Sequence, residues 1–111
     1  MRRLTQSGSS RFFWDIIMDE KHLLIFSAKW CGPCRMMKSL VWNNETVKEK
    51  LENFDSVQFL DIDDPKNRAM AIKYRVSAVP MIYIVDENGK PMKLANTMDA
   101  RQTVNFLSVN E

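Results

Sequence analysis

The pentapeptide WCGPC at residues 30–34 constrains the fold of this chain most strongly. It holds both cysteines of the sequence, directly after an apolar run at residues 23–26 and directly before a helix-like segment at residues 35–42. A strand that enters a helix through a tight turn places Cys31 at the helix N-terminus, where unpaired backbone N–H groups and the helix dipole stabilise an anion. For a thiol that anion is the thiolate, which is the form that attacks disulfides. The sequence therefore predicts a strand–turn–helix unit that favours the Cys31 thiolate.

The second cysteine, Cys34, lies one helical turn beyond Cys31. At this spacing its sulfur can reach that of Cys31, so the pair can close a small ring and expel a bound substrate. Pro33 suits the first helical turn, because its missing N–H would have no partner there. Two other interpretations of the pair remain open. It can be half of a metal site, for which only His22 is left as a further nitrogen or sulfur ligand, or two small apolar core residues.

Length and composition indicate an ordinary globular protein with a single domain over residues 1–111. The 111 residues fit one core, and 45% hydrophobic and 27% charged residues are typical globular usage. The net charge is +2, and the arginines at positions 2, 3 and 11 are not followed by a basic stripe interleaved with aromatic residues. We therefore expect no nucleic-acid partner.

The distribution of apolar residues predicts neither a membrane span nor a signal peptide. No apolar run approaches the about 20 residues that a spanning helix needs, and residues 5–11 are polar where a signal peptide would be apolar. We expect the chain in a reducing compartment, the cytoplasm. There, two spaced cysteines are more often catalytic or metal-binding than structural.

Apolar periodicity predicts strands that alternate with helices. The predicted order is an edge strand over residues 2–6, a helix over 10–18, a strand over 23–27, helices over 35–42 and 45–54, a strand over 57–62, a helix over 65–74, a strand over 81–85, a turn at 86–89, a strand over 90–95 and a helix over 99–109. Strands separated by helices pair in parallel, and the final hairpin adds antiparallel neighbours. This order predicts an α/β fold with one mixed sheet of four to five strands flanked by about four helices.

Individual residues support the element boundaries. Asn44 is a suitable N-cap, and Asp64 followed by Pro65 is an ordinary helix start, which is a stronger interpretation of Asp63 and Asp64 than an acid–base pair. Pro91 cannot donate to a strand ladder, so its strand is predicted at a sheet edge.

Three separated segments resemble the thioredoxin family over nearly the whole chain. They are AKWCGPCRM at residues 28–36, YRVSAVP at residues 74–80 and DENGK at residues 86–90. The resemblance implies the thioredoxin fold. It also implies that Pro80 follows a cis peptide bond and lies against the active-site disulfide.

The resemblance further implies a thiol–disulfide oxidoreductase that reduces protein disulfides. Cys31 would attack the substrate disulfide, and Cys34 would resolve the mixed disulfide. The apolar surface that receives an extended substrate would comprise Trp30, Gly32, Pro33, Val79 and Pro80, with unpaired backbone groups flanking Pro80. No cofactor and no metal would be needed. The partners would be disulfide-containing proteins and an external reductase, the protein would be a monomer, and its role would be electron transport and redox homeostasis.

Two other functions are compatible with these residues. A disulfide oxidant or isomerase is less well supported, because Gly-Pro between the cysteines is the pattern of reducing thioredoxins. A module that binds a partner through the surface around Trp30 and Pro80, without turnover, is an alternative of a different class.

The chain departs from the family at a pair of polar core positions. Ile25 stands where thioredoxins have a buried aspartate that is thought to take the proton of the second cysteine, and Phe59 stands where a lysine is common. We expect both apolar residues to suit the core and to slow the resolving step, because a proton acceptor for Cys34 is lost.

Four further residues near the cysteines bear on substrate choice and on the thiolate. Ser39 and Asn96 replace a family proline and a family glycine, which affects the helix bend and the choice of substrate. Lys29 and Arg35 flank the pair and are expected to favour the Cys31 thiolate.

Overall fold

The computed structural model describes residues 20–108 of the chain. The predicted strand over residues 2–6 and helix over residues 10–18 lie outside these residues, as does the predicted end of the last helix at Val109. The prediction of one domain over residues 1–111 therefore stays a prediction.

Between residues 20 and 108 four strands and four helices follow in the predicted order. They are β1 (Lys21–Ser27), α1 (Gly32–Leu40), α2 (Glu45–Leu51), β2 (Ser56–Asp61), a 3-10 turn (Pro65–Asn67) that leads into α3 (Arg68–Lys73), β3 (Met81–Asp86), β4 (Pro91–Ala95) and α4 (Ala100–Leu107). The predicted α/β class with one mixed sheet is confirmed, and four of the predicted four to five strands lie in the described residues.

The sheet has the strand order β2-β1-β3-β4. Strand β1 is parallel to β2 and antiparallel to β3, and β3 is antiparallel to β4. The four consecutive apolar residues of β1 are all buried, which explains its central place in the sheet. Pro91 begins the edge strand β4, as its missing N–H requires.

Local hydrogen bonds fix where the helices begin. The Asn44 side chain accepts a hydrogen bond of 3.0 Å from the Val47 N–H at the start of α2, as predicted. Asp64 accepts one of 3.0 Å from the Lys66 N–H, although the first turn after it is a 3-10 turn and not an α-helix. These caps satisfy donors that a helix start leaves unpaired.

The core has two halves, one on each face of the sheet. On one face, Ile25 and Ile82 pack with residues of α1, α2 and α4, among them Met37. On the other face, Phe26 packs with Tyr74, beside α3. Because helices cover β1 on both faces, the end of β1 that leads to the cysteines is held on all sides. None of the helices in this described part has the length and apolarity that crossing a bilayer takes.

A pair of buried tyrosines ties the segment before Pro80 to the sheet. The Tyr74 hydroxyl donates to the Gly89 carbonyl at 2.6 Å, and the Tyr83 hydroxyl donates to the Tyr74 carbonyl. The centroids of the Tyr74 and Tyr83 rings are 5.1 Å apart. Burial raises the pKa of Tyr74 above its ordinary value of 10.0, with a further contribution from Asp86. Burial also raises the pKa of Tyr83, with a further contribution from Tyr74.

These shifts predict a loss of stability at alkaline pH. Since both folded-state pKa values lie above those of the unfolded chain, their contribution is complete below about pH 10 and is lost as the pH rises through the folded values. We expect the free energy of unfolding, measured in urea, to fall above about pH 10. In Tyr74→Phe it should fall less steeply, after a loss of about 1 kcal/mol at neutral pH from the missing hydrogen bond. The two proteins differ only in the Tyr74 hydroxyl, so equal slopes would contradict this explanation.

Candidate active site

The two cysteines lie where the chain leaves β1 and begins α1. Cys31 is the N-cap of α1, with an extended backbone (φ −87°, ψ 114°) and with Pro33 in the first helical turn. Its N–H donates to the Ala28 carbonyl at 3.2 Å, which closes the turn after the strand. The Cys34 N–H donates to Cys31 Sγ at 3.1 Å. The predicted position of Cys31 at a helix N-terminus is confirmed.

The two sulfurs are joined in a disulfide, with the Cα atoms 5.2 Å apart. The predicted reach of one sulfur to the other is therefore confirmed. Both residues are largely buried, with 4% of Cys31 and 7% of Cys34 exposed. The backbone donor on Cys31 Sγ stabilises a thiolate once the disulfide is reduced, because a charge-assisted hydrogen bond is stronger than a neutral one.

A distant segment completes the site from the other side. The Val79–Pro80 peptide bond is cis, as the resemblance implied, and Pro80 is buried. The Val79 carbonyl oxygen lies 3.5 Å from Cys31 Sγ, although 48 positions separate the two residues. Val79 packs against the small cluster of Ala28, Cys31 and Cys34. Two of the three resembling segments therefore meet at the disulfide.

An exposed surface surrounds this disulfide. Trp30 is 64% exposed, and Gly32 and Pro33 are exposed at the start of α1. The Trp30 indole Nε1 donates to Asp63 Oδ2 at 2.9 Å, which fixes the ring beside the cysteines. The sequence predicts only a helix start at Asp63. Its position just after the end of β2 is the one signal in the sequence that places it near the cysteines. The structure brings the predicted substrate residues together, and their role in binding stays a prediction.

The expectation of unpaired backbone groups beside Pro80 is wrong for one carbonyl. The groups that flank Pro80 were expected to be unpaired, but the Pro80 carbonyl accepts a hydrogen bond of 3.1 Å from Asn96 Nδ2. Asn96 stands where the family has a glycine, which has no side chain to make this bond. On that side of Pro80 the backbone acceptor is therefore already engaged.

The cations that flank the cysteines are exposed, and one of them is fixed. Arg35 Nη1 donates to the Lys29 carbonyl at 2.7 Å, so the guanidinium is bound to the turn that precedes Cys31. Both side chains are exposed. Because solvent screens exposed charges, their effect on the Cys31 thiolate stays a prediction.

An open groove of about 710 Å³ lies between α1 and the sheet, next to Cys34. Ile25 lies at its base and is 1% exposed, so the expectation that it suits the core is confirmed. The same expectation for Phe59 is wrong, because Phe59 is 57% exposed. Its ring meets that of Trp42 edge-on, with the ring centroids 5.9 Å apart. Its strand, β2, is the outermost of the described sheet, so few residues cover it.

The other candidate metal ligand does not join the cysteines. His22 lies at the beginning of β1, whereas the cysteines follow its end. Its ring nitrogens contact Ser56 Oγ at 2.7 Å and Glu20 Oε1 at 3.1 Å. Within residues 20–108, no three His, Cys, Asp or Glu side chains are grouped so that they could hold a metal ion.

Comparison with known proteins identifies similar chains. Thioredoxin Y, chloroplastic, of Oryza sativa subsp. japonica is 40% identical over 73 residues, which are 65% of this chain and 40% of that protein. The bifunctional thioredoxin reductase/thioredoxin of Mycobacterium leprae is 34% identical over 83 residues, 74% of this chain and 17% of that protein. This chain thus spans less than half the length of either relative.

Solved structures share the fold at lower sequence identity. A thioredoxin from Thermus thermophilus is similar with a TM-score of 0.69 and 19% identity, over 86% of this chain and 77% of that one. The family profile of thioredoxin matches residues 4–109. Together with the cysteine pair at disulfide distance, which is consistent with a dithiol–disulfide oxidoreductase, this match shows that the chain belongs to the thioredoxin family.

Proposed function

We propose that this protein reduces disulfides of other proteins by dithiol–disulfide exchange through Cys31 and Cys34. The observation that carries the proposal is the hydrogen bond of 3.1 Å from the Cys34 N–H to Cys31 Sγ, at the N-cap of α1 and within a closed disulfide ring. It gives Cys31 a backbone donor for the thiolate and puts a second sulfur within bonding distance. These are the two requirements of the reaction.

In the first half-reaction Cys31 is the nucleophile. Its thiolate attacks one sulfur of the substrate disulfide, a Cys31–substrate bond forms, and the substrate S–S bond breaks. The electron pair of that bond leaves on the other substrate sulfur, which takes a proton from water. The helix N-terminus stabilises the Cys31 thiolate before the attack.

In the second half-reaction Cys34 resolves the mixed disulfide. Its thiolate attacks Cys31 Sγ, the Cys31–substrate bond breaks, and the substrate leaves with both sulfurs reduced. The product is the Cys31–Cys34 disulfide that the structure contains. An electron pair passes to the substrate, so an external reductant must reduce this disulfide before the next turnover.

We infer that the external reductant is a reductase of the thioredoxin-reductase class. The relative from Mycobacterium leprae supports this inference, because its name joins a thioredoxin reductase and a thioredoxin in one protein. With such a partner, the protein would carry electrons from the reductase to disulfide-containing proteins and so contribute to redox homeostasis.

The residues around the disulfide would form the docking surface for these proteins. Trp30, Gly32 and Pro33 are exposed there, the half-buried Val79 has its carbonyl oxygen 3.5 Å from Cys31 Sγ, and the buried Pro80 follows it. An aromatic ring that a carboxylate holds in place suits protein contact, because little conformational entropy is lost on binding. The same surface supports the second candidate function, a binding module without turnover.

We further propose that the protein works as a monomer in the reducing cytoplasm. The cysteine pair needs a compartment in which it can be returned to the dithiol form. Light scattering and fractionation of the source cell test this proposal, and a stable dimer or an organellar location would contradict it. An organellar result is a real alternative, since the rice relative is named as chloroplastic.

The reductase activity depends on each cysteine in a different way. We expect the protein to reduce insulin disulfides with dithiothreitol present, Cys31→Ser to abolish the activity, and Cys34→Ser to accumulate a covalent Cys31–substrate adduct. Turbidity of the released insulin chains measures the first effect, and non-reducing electrophoresis of cell extracts measures the second.

The matched pair of cysteine variants separates the two candidate functions. Unchanged insulin reduction in Cys31→Ser would exclude the proposed mechanism. A double variant that carries Cys31→Ser and Cys34→Ser tests the alternative. A partner that binds equally well to this variant and to the wild type would support the binding module.

The apolar residue at the base of the groove generates a second prediction. Ile25→Asp should lower the free energy of unfolding by at least about 1–3 kcal/mol, because it places a carboxylate in the core. It should also speed release of substrate from Cys31 near neutral pH, since a carboxylate beside Cys34 can accept its proton. Urea unfolding and stopped-flow measurement of the release step give the two values.

Ile25→Asn is the control for that experiment. It should lower stability similarly without speeding release, because an amide does not accept the proton. If Ile25→Asp changes neither stability nor release, the interpretation of Ile25 as a replaced proton acceptor is wrong.

A further inference from the structure

The groove next to Cys34 contains a single carboxylate among the described residues that line it. Its other charged groups are three cations, from Lys29, Arg35 and Lys38, and the carboxylate belongs to Asp61. Cys34 lines the same groove. The groove is open to solvent and has room for several waters, since one water takes about 30 Å³ in the liquid.

The position of Asp61 in the sheet directs it to this groove. It is the last residue of β2 and lies beside Ser27 of β1, in the register that also pairs Phe59 with Ile25. Because side chains alternate along a strand, Asp61 shares a face with Phe59, which lines the groove as well. Asp61 is half-buried at this strand end.

One oxygen of the Asp61 carboxylate is engaged and the other is available. Oδ1 accepts the Asp63 N–H at 2.9 Å, which orients the side chain. Oδ2 accepts no hydrogen bond from residues 20–108. An oriented carboxylate with one open oxygen, in a groove that admits water, can take up a proton.

The resolving step needs such a group. Cys34 must lose its proton before it attacks Cys31, yet it is 7% exposed, and the groove that it lines includes the apolar side chains of Ile25 and Met37. An apolar environment disfavours the charged thiolate, and no carboxylate is at hand at position 25.

We propose that Asp61 accepts the proton of Cys34, through water in the groove, during resolution of the mixed disulfide. The proposal rests on the proposed function. The Cys34 proton passes to water and from water to Asp61 Oδ2, while the Cys34 sulfur bonds to Cys31 Sγ. The Cys31–substrate bond breaks, the substrate sulfur leaves with the electron pair and is protonated by solvent, and Asp61 later returns its proton to solvent.

A purely electrostatic role for Asp61 would have the opposite sign. A negative charge near Cys34 disfavours its thiolate, whereas the three cations at the groove favour it. Removing that charge would therefore speed resolution. As a proton acceptor, Asp61 speeds resolution, and its removal slows it.

The test uses Asp61→Asn in the full chain, which keeps the oxygen that accepts the Asp63 N–H. Reduced protein is mixed with 5,5′-dithiobis(2-nitrobenzoate) in a stopped-flow instrument. The first release of thionitrobenzoate reports attack by Cys31, and the second reports resolution by Cys34. We expect the first phase to be unchanged and the second to slow at least about tenfold, less than the roughly 10²–10⁴-fold of a general base in direct contact.

The pH profile distinguishes proton transfer from a structural effect. In the wild type the second phase should change little with pH near neutrality, because the Asp61 carboxylate takes up the proton of Cys34. In Asp61→Asn it should rise in proportion to hydroxide and meet the wild-type rate at alkaline pH, where the thiol ionises unaided. Asp61→Glu, which restores a carboxylate, should recover part of the rate.

Asp64→Asn is the matched control. It removes the same charge three residues away, outside the groove, and an asparagine still caps the turn at Lys66. Its second phase should equal that of the wild type. A second phase that is unchanged or faster in Asp61→Asn would overturn the role of Asp61, whereas a wild type that releases no thionitrobenzoate would overturn the proposed function itself.

Discussion

The site depends on the packing of the strand that leads to it. Four consecutive residues of β1 are buried between helices on both faces of the sheet, and the burial of each such side chain stabilises the fold by about 1.5–3 kcal/mol. The favourable effect of a helix N-terminus on an anion is smaller, at most about 2 kcal/mol, and it is lost within one turn. The helix N-terminus can stabilise an anion at Cys31 only because the burial of β1 fixes where α1 begins.

Signals that are local in the chain predicted most of the fold. The apolar run of β1, the caps at Asn44 and Asp64, the edge position of Pro91 and the spacing of the cysteines each depend on a few neighbouring residues. The approach of Val79 to Cys31 is different, because 48 positions separate them. Only the resemblance to a known family predicted that contact.

The sequence could not predict the pairings of side chains with backbone or ring atoms that are distant in the chain. Asp63 holds Trp30, and Asn96 holds the Pro80 carbonyl, through hydrogen bonds that span 33 and 16 positions. The spacing of apolar residues along the chain does not indicate such pairs. Its apolar character and its place at a polar core position of the family predict a buried Phe59, and its exposure follows from how little of the described chain covers β2.

The two sulfurs therefore depend on different parts of the molecule. Cys31 has a backbone donor at 3.1 Å, so its thiolate is stabilised without any side chain acting as a base. Cys34 supplies that donor, and its own sulfur accepts no hydrogen bond from residues 20–108. In the proposed mechanism its deprotonation therefore depends on the groove that it lines. With Ile25 at the base of that groove and Asp61 at a strand end that water reaches, the groove combines an apolar floor with a solvated proton acceptor. A substitution at Asp61 can then change the rate of resolution and leave the core intact, whereas Ile25→Asp changes both, because Ile25 belongs to the core and to the groove.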